Sequence, residues 1–124
     1  MVITHEYITA CLNAYNEVFH LPTIPQIMVV YGDTDYCGMM NIFGIEYGDS
    51  VEREVMYIAP DAIEHTANVE GVSHEQMALE TIFHEYIHYF NHMVGGELET
   101  HTGKIWDSMV TIAIDNNFIT REAI

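Results

Sequence analysis

The segment 74–93 limits the fold of this chain more than any other part of the sequence. Its large apolar residues recur at helical spacing and form one stripe: Leu79, Ile82, Phe83, Tyr86, Ile87 and Phe90. Ser73 and Gln76 form a capping box at its start, and Gly95-Gly96 ends it. The sequence therefore predicts a long amphipathic helix whose apolar side must be covered by the rest of the chain.

The other apolar patterns predict the elements that cover this helix. They indicate helices over 5–19 and 104–116, a short helical turn over 60–66, and strands over 26–31, 39–47 and 53–59. Strands that follow one another through short turns favour antiparallel pairing. We therefore predict an α+β domain in which a small three-stranded, antiparallel-rich sheet packs against the N-terminal, central and C-terminal helices.

Composition agrees with one folded domain that is strongly acidic. The chain has 124 residues, of which 49% are hydrophobic, enough for one core, so a single domain over 1–124 is expected. Nineteen acidic residues against three basic ones give a formal net charge of −16. This charge excludes a basic nucleic-acid-binding surface, and direct binding to nucleic acid is not expected because phosphate would be repelled.

Cysteine use and hydropathy indicate a cytoplasmic protein. Cys11 and Cys37 form no CxxC pair, which excludes a four-cysteine zinc ribbon and is typical of reduced thiols. No apolar run reaches the roughly 18 residues that a membrane span needs. The first six residues carry no positive charge, so we expect no signal peptide and no membrane partner.

The predicted central helix carries the motif HExxH at 84–88. Residues four apart lie on the same side of a helix, so the imidazoles of His84 and His88 can both reach one zinc ion. Glu85 projects beside them, where a carboxylate can hold and deprotonate a zinc-bound water. The motif thus predicts a Zn²⁺ site with a catalytic glutamate.

A catalytic zinc needs a third protein ligand and an open position for water. His92 is excluded as a co-ligand of His84, because eight residues of helix separate the two by about 12 Å. The chain can fold back after the glycine pair, and His101 is the preferred third ligand because it lies just before the last helix. Three acidic residues stay open as alternatives: Glu97, Glu99 and Asp107.

The segments around these residues resemble the SprT-like (Spartan-like) family of zinc metallopeptidase domains, which have a zincin-like fold. Residues 81–88 match the family's HExxH helix, and 101–106 match its His-Gly-x-x-aromatic turn with one extra residue, Thr102. Cys37-Gly38 and the strand at 56–60 resemble a glycine-containing turn and the strand that borders the family's cleft. The resemblance covers residues 5–115 and includes no cysteine-rich C-terminal zinc ribbon.

The resemblance implies a zinc-dependent hydrolase that cleaves peptide bonds. His84, His88 and His101 would bind zinc, and Glu85 would act as the catalytic base. The family's cleft strand implies that a protein or peptide substrate lies extended beside 54–59, and the net charge is compatible with a basic substrate. No oxyanion-stabilising residue can be singled out among the candidates Tyr36, His65, His74 and His92.

Two other interpretations stay open, and the sequence does not set the oligomeric state. The chain could be a catalytically inert zinc-binding protein with a closed four-ligand site, in which Glu97 or Asp107 is the fourth ligand. It could instead be an acidic interaction protein that mimics nucleic acid and binds a basic partner. In that last case the substitution Glu85→Gln would leave function intact.

Overall fold

A computed structural model describes residues 2–121 of the protein. Its elements follow in the predicted order: α1 (His5–Phe19), β1 (Gln26–Val29), β2 (Gly38–Glu46), β3 (Asp49–Ile58), α2 (Pro60–Glu70), α3 (His74–Met93) and α4 (Lys104–Asp115). One three-stranded mixed sheet packs with the helices, which confirms the predicted α+β class. Within the described residues, no helix is both long and apolar enough to cross a membrane.

Side-chain caps begin α1 and α3, and the sequence predicts the one at α3. The Thr4 hydroxyl accepts a hydrogen bond from the backbone N–H of Tyr7 at 3.0 Å. The Ser73 hydroxyl accepts one from the backbone N–H of Gln76, also at 3.0 Å. These bonds satisfy N–H groups that have no partner inside the helix. The caps thus fix the first residue of α1 and of α3.

The helix after β3 is longer than the predicted turn over 60–66. It continues to Glu70 because Ile63 and Ala67, one turn apart, are both buried in the core. Gly71 then ends it with a φ of 72°, a left-handed conformation that glycine adopts without steric cost. The prediction of a short turn was therefore wrong in length, and Gly71 was the sequence signal for the true end.

The sheet has the order β1-β3-β2, so β3 is the central strand. β1 runs parallel to β3, and β2 pairs with β3 in antiparallel orientation. The β2–β3 hairpin turns at Tyr47-Gly48, where both residues have positive φ, 52° and 84°, as a two-residue type I′ turn requires. β2 is left as an edge strand, and it packs against α3.

α3 lies at the centre of the helical layer and is buried on more sides than one stripe. The Tyr15 ring of α1 packs edge-on against Phe83 and Tyr86, with centroid distances of 5.0 and 5.1 Å. Polar side chains of α3 are buried as well: Glu80, Thr81, Glu85, His88 and Asn91. Buried polar groups cost free energy unless they are paired, so the partners of these α3 side chains need to be identified.

Candidate metal centre

The structure brings together the three histidines that the sequence singles out. His84 and His88 lie one turn apart on α3, and His101 lies in the loop before α4. Each offers a ring nitrogen, and these atoms all lie within 4.8 Å of one another. No other group of metal-ligating side chains this close occurs among the described side chains, which are those of residues 2–43 and 47–121.

The two helical histidines already have the spacing of two ligands of one ion. Their Nε2 atoms are 3.2 Å apart. In a tetrahedral site with Zn–N bonds of about 2.0–2.1 Å, ligand nitrogens are separated by about 3.3 Å. The ring nitrogen of His101 lies within 4.8 Å of both, at most about 1.5 Å beyond that separation, and its side chain is exposed.

Neighbouring groups orient the imidazoles. His88 Nδ1 donates to the carbonyl oxygen of Leu98 at 2.6 Å, which leaves the Nε2 lone pair directed at the shared position. The buried ring of Trp106 packs against all three histidines, with centroid distances of 5.2 Å to His84 and 5.4 Å to both His88 and His101. One aromatic side chain, Trp106, thus contacts all three histidine rings.

Glu85 lies beside the histidines and is held by the edge strand. Its Oε2 is 3.9 Å from His84 Nε2, and the backbone N–H of Met40 in β2 donates to the carboxylate. A Cβ atom at Gly38 would lie 2.9 Å from the Cγ of Glu85 and 2.9 Å from the Cγ2 of Thr81. Glycine at the start of β2 is therefore what lets the strand approach the helix closely enough to contact Glu85.

Burial sets the protonation states of these side chains. It lowers the pKa of His84 to about 4, with a smaller contribution from the neighbouring His88 and His101, and it also lowers the pKa of His88. It raises the pKa of Glu85 to about 7, against the opposing effect of the Met40 N–H. Near neutral pH both helical histidines are therefore neutral, the form that binds a metal, and Glu85 exchanges its proton readily.

A cleft of about 490 Å³ opens over the histidines. The start of β2, including Gly38, Met39 and Met40, forms one side of it, and the loop with Leu98 and Glu99 closes the other. The expectation that the strand at 54–59 borders the cleft is wrong. β3 is the central strand, and β1 and β2 occupy both of its edges.

The remaining metal-ligand candidates lie outside the group. Glu99 lines the cleft, but neither it nor Glu97 belongs to the group of ligand atoms. Asp107 lines a separate hollow on α4. His92 is excluded, as predicted, and its Nε2 lies 3.2 Å from Oε1 of Glu54 in β3, a partner that the sequence did not indicate.

Of the candidate oxyanion donors, Tyr36 lines a second cavity together with His84 and Glu85. Tyr36 also borders a neighbouring hollow that His65 lines, and His74 lines a third hollow. Tyr36 is therefore the candidate that shares a cavity with residues of the metal group.

Comparison with family models, curated proteins and solved structures gives no match for this chain. The resemblance to the SprT-like family thus rests on the motifs around His84, His88 and His101. The chemistry that the site can perform follows from its own side chains. These are three imidazoles beside the buried carboxylate of Glu85, at an open cleft.

Proposed function

We propose that this chain is a zinc-dependent metallopeptidase of the SprT-like type, with His84, His88 and His101 as the zinc ligands. The observation that carries the proposal is the group of three ligand nitrogens beside the buried Glu85. Among the described residues no fourth side chain joins the group, and three protein ligands are typical of catalytic zinc sites. When bound, zinc would supply Lewis-acid chemistry by polarising a carbonyl and lowering the pKa of a water.

Glu85 would carry out the proton transfers. The Met40 N–H fixes its carboxylate next to His84, facing the cleft. From this position the carboxylate can take a proton from the attacking water and then donate it to the leaving amine.

The edge strand offers a place for the substrate. β2 pairs with β3 on one side, and its first residues line the cleft. An extended peptide can add to the open side of an edge strand through backbone hydrogen bonds, with little dependence on sequence. This would bring a peptide carbonyl next to the histidines.

Metal content and cleavage of an unfolded protein test the proposal together. Wild type, Glu85→Gln and His101→Ala are reconstituted with Zn²⁺, and bound metal is measured by mass spectrometry. We expect one zinc per chain in wild type and Glu85→Gln, and weaker binding in His101→Ala. Casein should be cleaved by the zinc-loaded wild type and not by Glu85→Gln or by chelator-treated protein.

His92→Ala is the matched control, because it removes a histidine from the same helix but outside the metal group. Its zinc content should equal that of wild type. No zinc in wild type, or equal cleavage by wild type and Glu85→Gln, would contradict the proposed function. Equal zinc affinity of wild type and His101→Ala would remove His101 from the site.

A further inference from the structure

A second cavity, of about 380 Å³, lies beside the cleft and takes no part in the chemistry above. We call it the side cavity. It shares Gly38, His84 and Glu85 with the cleft, and its other lining residues are Tyr36, Cys37, Met77, Glu80, Thr81 and Arg121. A group bound there would therefore lie next to the reacting centre.

Glu80 carries an unusual carboxylate in this cavity. The residue is only 4% exposed. Its Oε1 accepts a hydrogen bond from Nε of Arg121 at 2.7 Å, whereas its Oε2 has no hydrogen-bond partner in the part of the chain that the structure describes. A buried carboxylate oxygen without a partner is costly, so the Glu80 carboxylate has the capacity to accept a hydrogen bond from a further donor.

The charges around Glu80 favour a cation as that ligand. Arg121 is shared between two carboxylates, since its Nη2 also contacts Oε1 of Glu70 at 3.3 Å. One guanidinium against two carboxylates leaves this end of the cavity negative, and Glu85 lies at the other end. The chain as a whole carries a net charge of −16, which repels anions and attracts cations.

We infer that the side cavity is a specificity subsite that binds a lysine or arginine side chain of the substrate through Glu80. The inference rests on the proposed function, because the subsite gains its role from its position beside Glu85. Met77 and Thr81 are buried and line the cavity, so they can contact the methylene stem of such a side chain. The charged end then pairs with the Glu80 carboxylate in competition with Arg121.

Three peptides of identical length, with lysine, norleucine or glutamate at one central position, test the subsite. Norleucine has the lysine stem without the charge. Their binding is measured by calorimetry on metal-free and zinc-loaded protein, and their cleavage is measured on zinc-loaded protein. We expect wild type to bind and cleave the lysine peptide about tenfold better than the norleucine peptide, and the glutamate peptide least well.

Three variants locate the effect. Glu80→Gln should abolish the preference for lysine over norleucine, while Glu75→Gln, which removes an exposed carboxylate from the same helix, should keep it. Arg121→Gln should strengthen the preference, because it removes the cation that competes for Glu80. If circular dichroism shows that Glu80→Gln does not fold, the lysine preference of Arg121→Gln tests the subsite instead.

The outcomes separate the subsite from the proposed peptidase activity. Equal binding of the lysine and norleucine peptides by wild type would overturn the subsite even if both peptides are cleaved. An unchanged preference in folded Glu80→Gln, or in Arg121→Gln, would overturn it as well. Lysine-selective binding that depends on Glu80, without cleavage of any peptide, would support the subsite and contradict the peptidase.

Discussion

Replacing Glu85 by glutamine should make the metal-free protein less sensitive to rising pH. Burial raises the pKa of this carboxyl from 4.5 to about 7. Because the pKa is higher in the folded than in the unfolded state, folding favours the protonated form. The contribution of Glu85 to stability is therefore complete below about pH 4.5 and is lost as the pH rises through 7.

The size of the effect follows from the two pKa values. A difference between 4.5 and 7 corresponds to about 3 kcal/mol once the carboxyl is ionised in both states. Most of this loss, about 2 to 3 kcal/mol, falls between pH 5 and pH 8. Glutamine has a similar shape and no proton to lose, so Glu85→Gln should not show this loss.

Urea unfolding of both proteins at pH 5 and pH 8, in the presence of a chelator, measures the difference. The free energy of unfolding of Glu85→Gln minus that of wild type should be about 2 to 3 kcal/mol larger at pH 8 than at pH 5. His84 has the opposite dependence, since its pKa of about 4 means that stability is lost as the pH falls from 6.5 towards 4. It is present in both proteins, so its effect cancels in the comparison.

Glu17→Gln is the control for removing one negative charge from an acidic chain, because Glu17 is exposed on α1. Its difference from wild type should be small and similar at both pH values. The reasoning is refuted if the difference between Glu85→Gln and wild type is the same at pH 5 and pH 8. That result would mean that the carboxyl is well solvated in the folded protein.

Three further predictions follow from single contacts. Gly38→Ala should lower the free energy of unfolding by about 1–3 kcal/mol, since the new Cβ would lie 2.9 Å from the Cγ of Glu85; unchanged urea unfolding would contradict this. Ser73→Ala should cost about 1 kcal/mol in the same assay, because the hydroxyl caps α3 at 3.0 Å, and a loss of only a tenth or two would contradict the capping role. Co²⁺ should quench the fluorescence of Trp106, the single tryptophan, and His101→Ala should weaken the quenching; a titration that leaves the fluorescence unchanged would argue against a metal site here.

The parts of the site that depend on local spacing could be predicted from the sequence. The helical repeat alone places His84 and His88 on one side of α3, with Glu85 beside them. The glycine pair after the helix allowed the chain to fold back, and the suitability of imidazole for zinc favoured His101 over Glu97 and Glu99. The element order and the α+β class followed from the apolar patterns in the same way.

The parts that depend on distant pairing could not be predicted. The parallel pairing of β1 with β3 puts β3 in the centre and leaves β2 as the strand beside α3, and no short-range pattern specifies that order. The contact of Arg121 with Glu80 joins residues 41 positions apart. That of His92 with Glu54 joins residues 38 positions apart. Each contact exists only after the chain has folded.

The position of His101 also has a consequence for how the last helix is held. α4 follows a loop that leaves α3 after Met93 and returns at His101. An ion bound to both His88 and His101 would act as a covalent-like cross-link that closes residues 88–101 into a ring. Because such an ion would bind the folded chain and not the unfolded one, it would stabilise the folded state by about 2.7 kcal/mol at a metal concentration 100 times Kd. Loading with metal would then slow the detachment of α4, and the C-terminal segment with Arg121 would be released most readily from the metal-free chain.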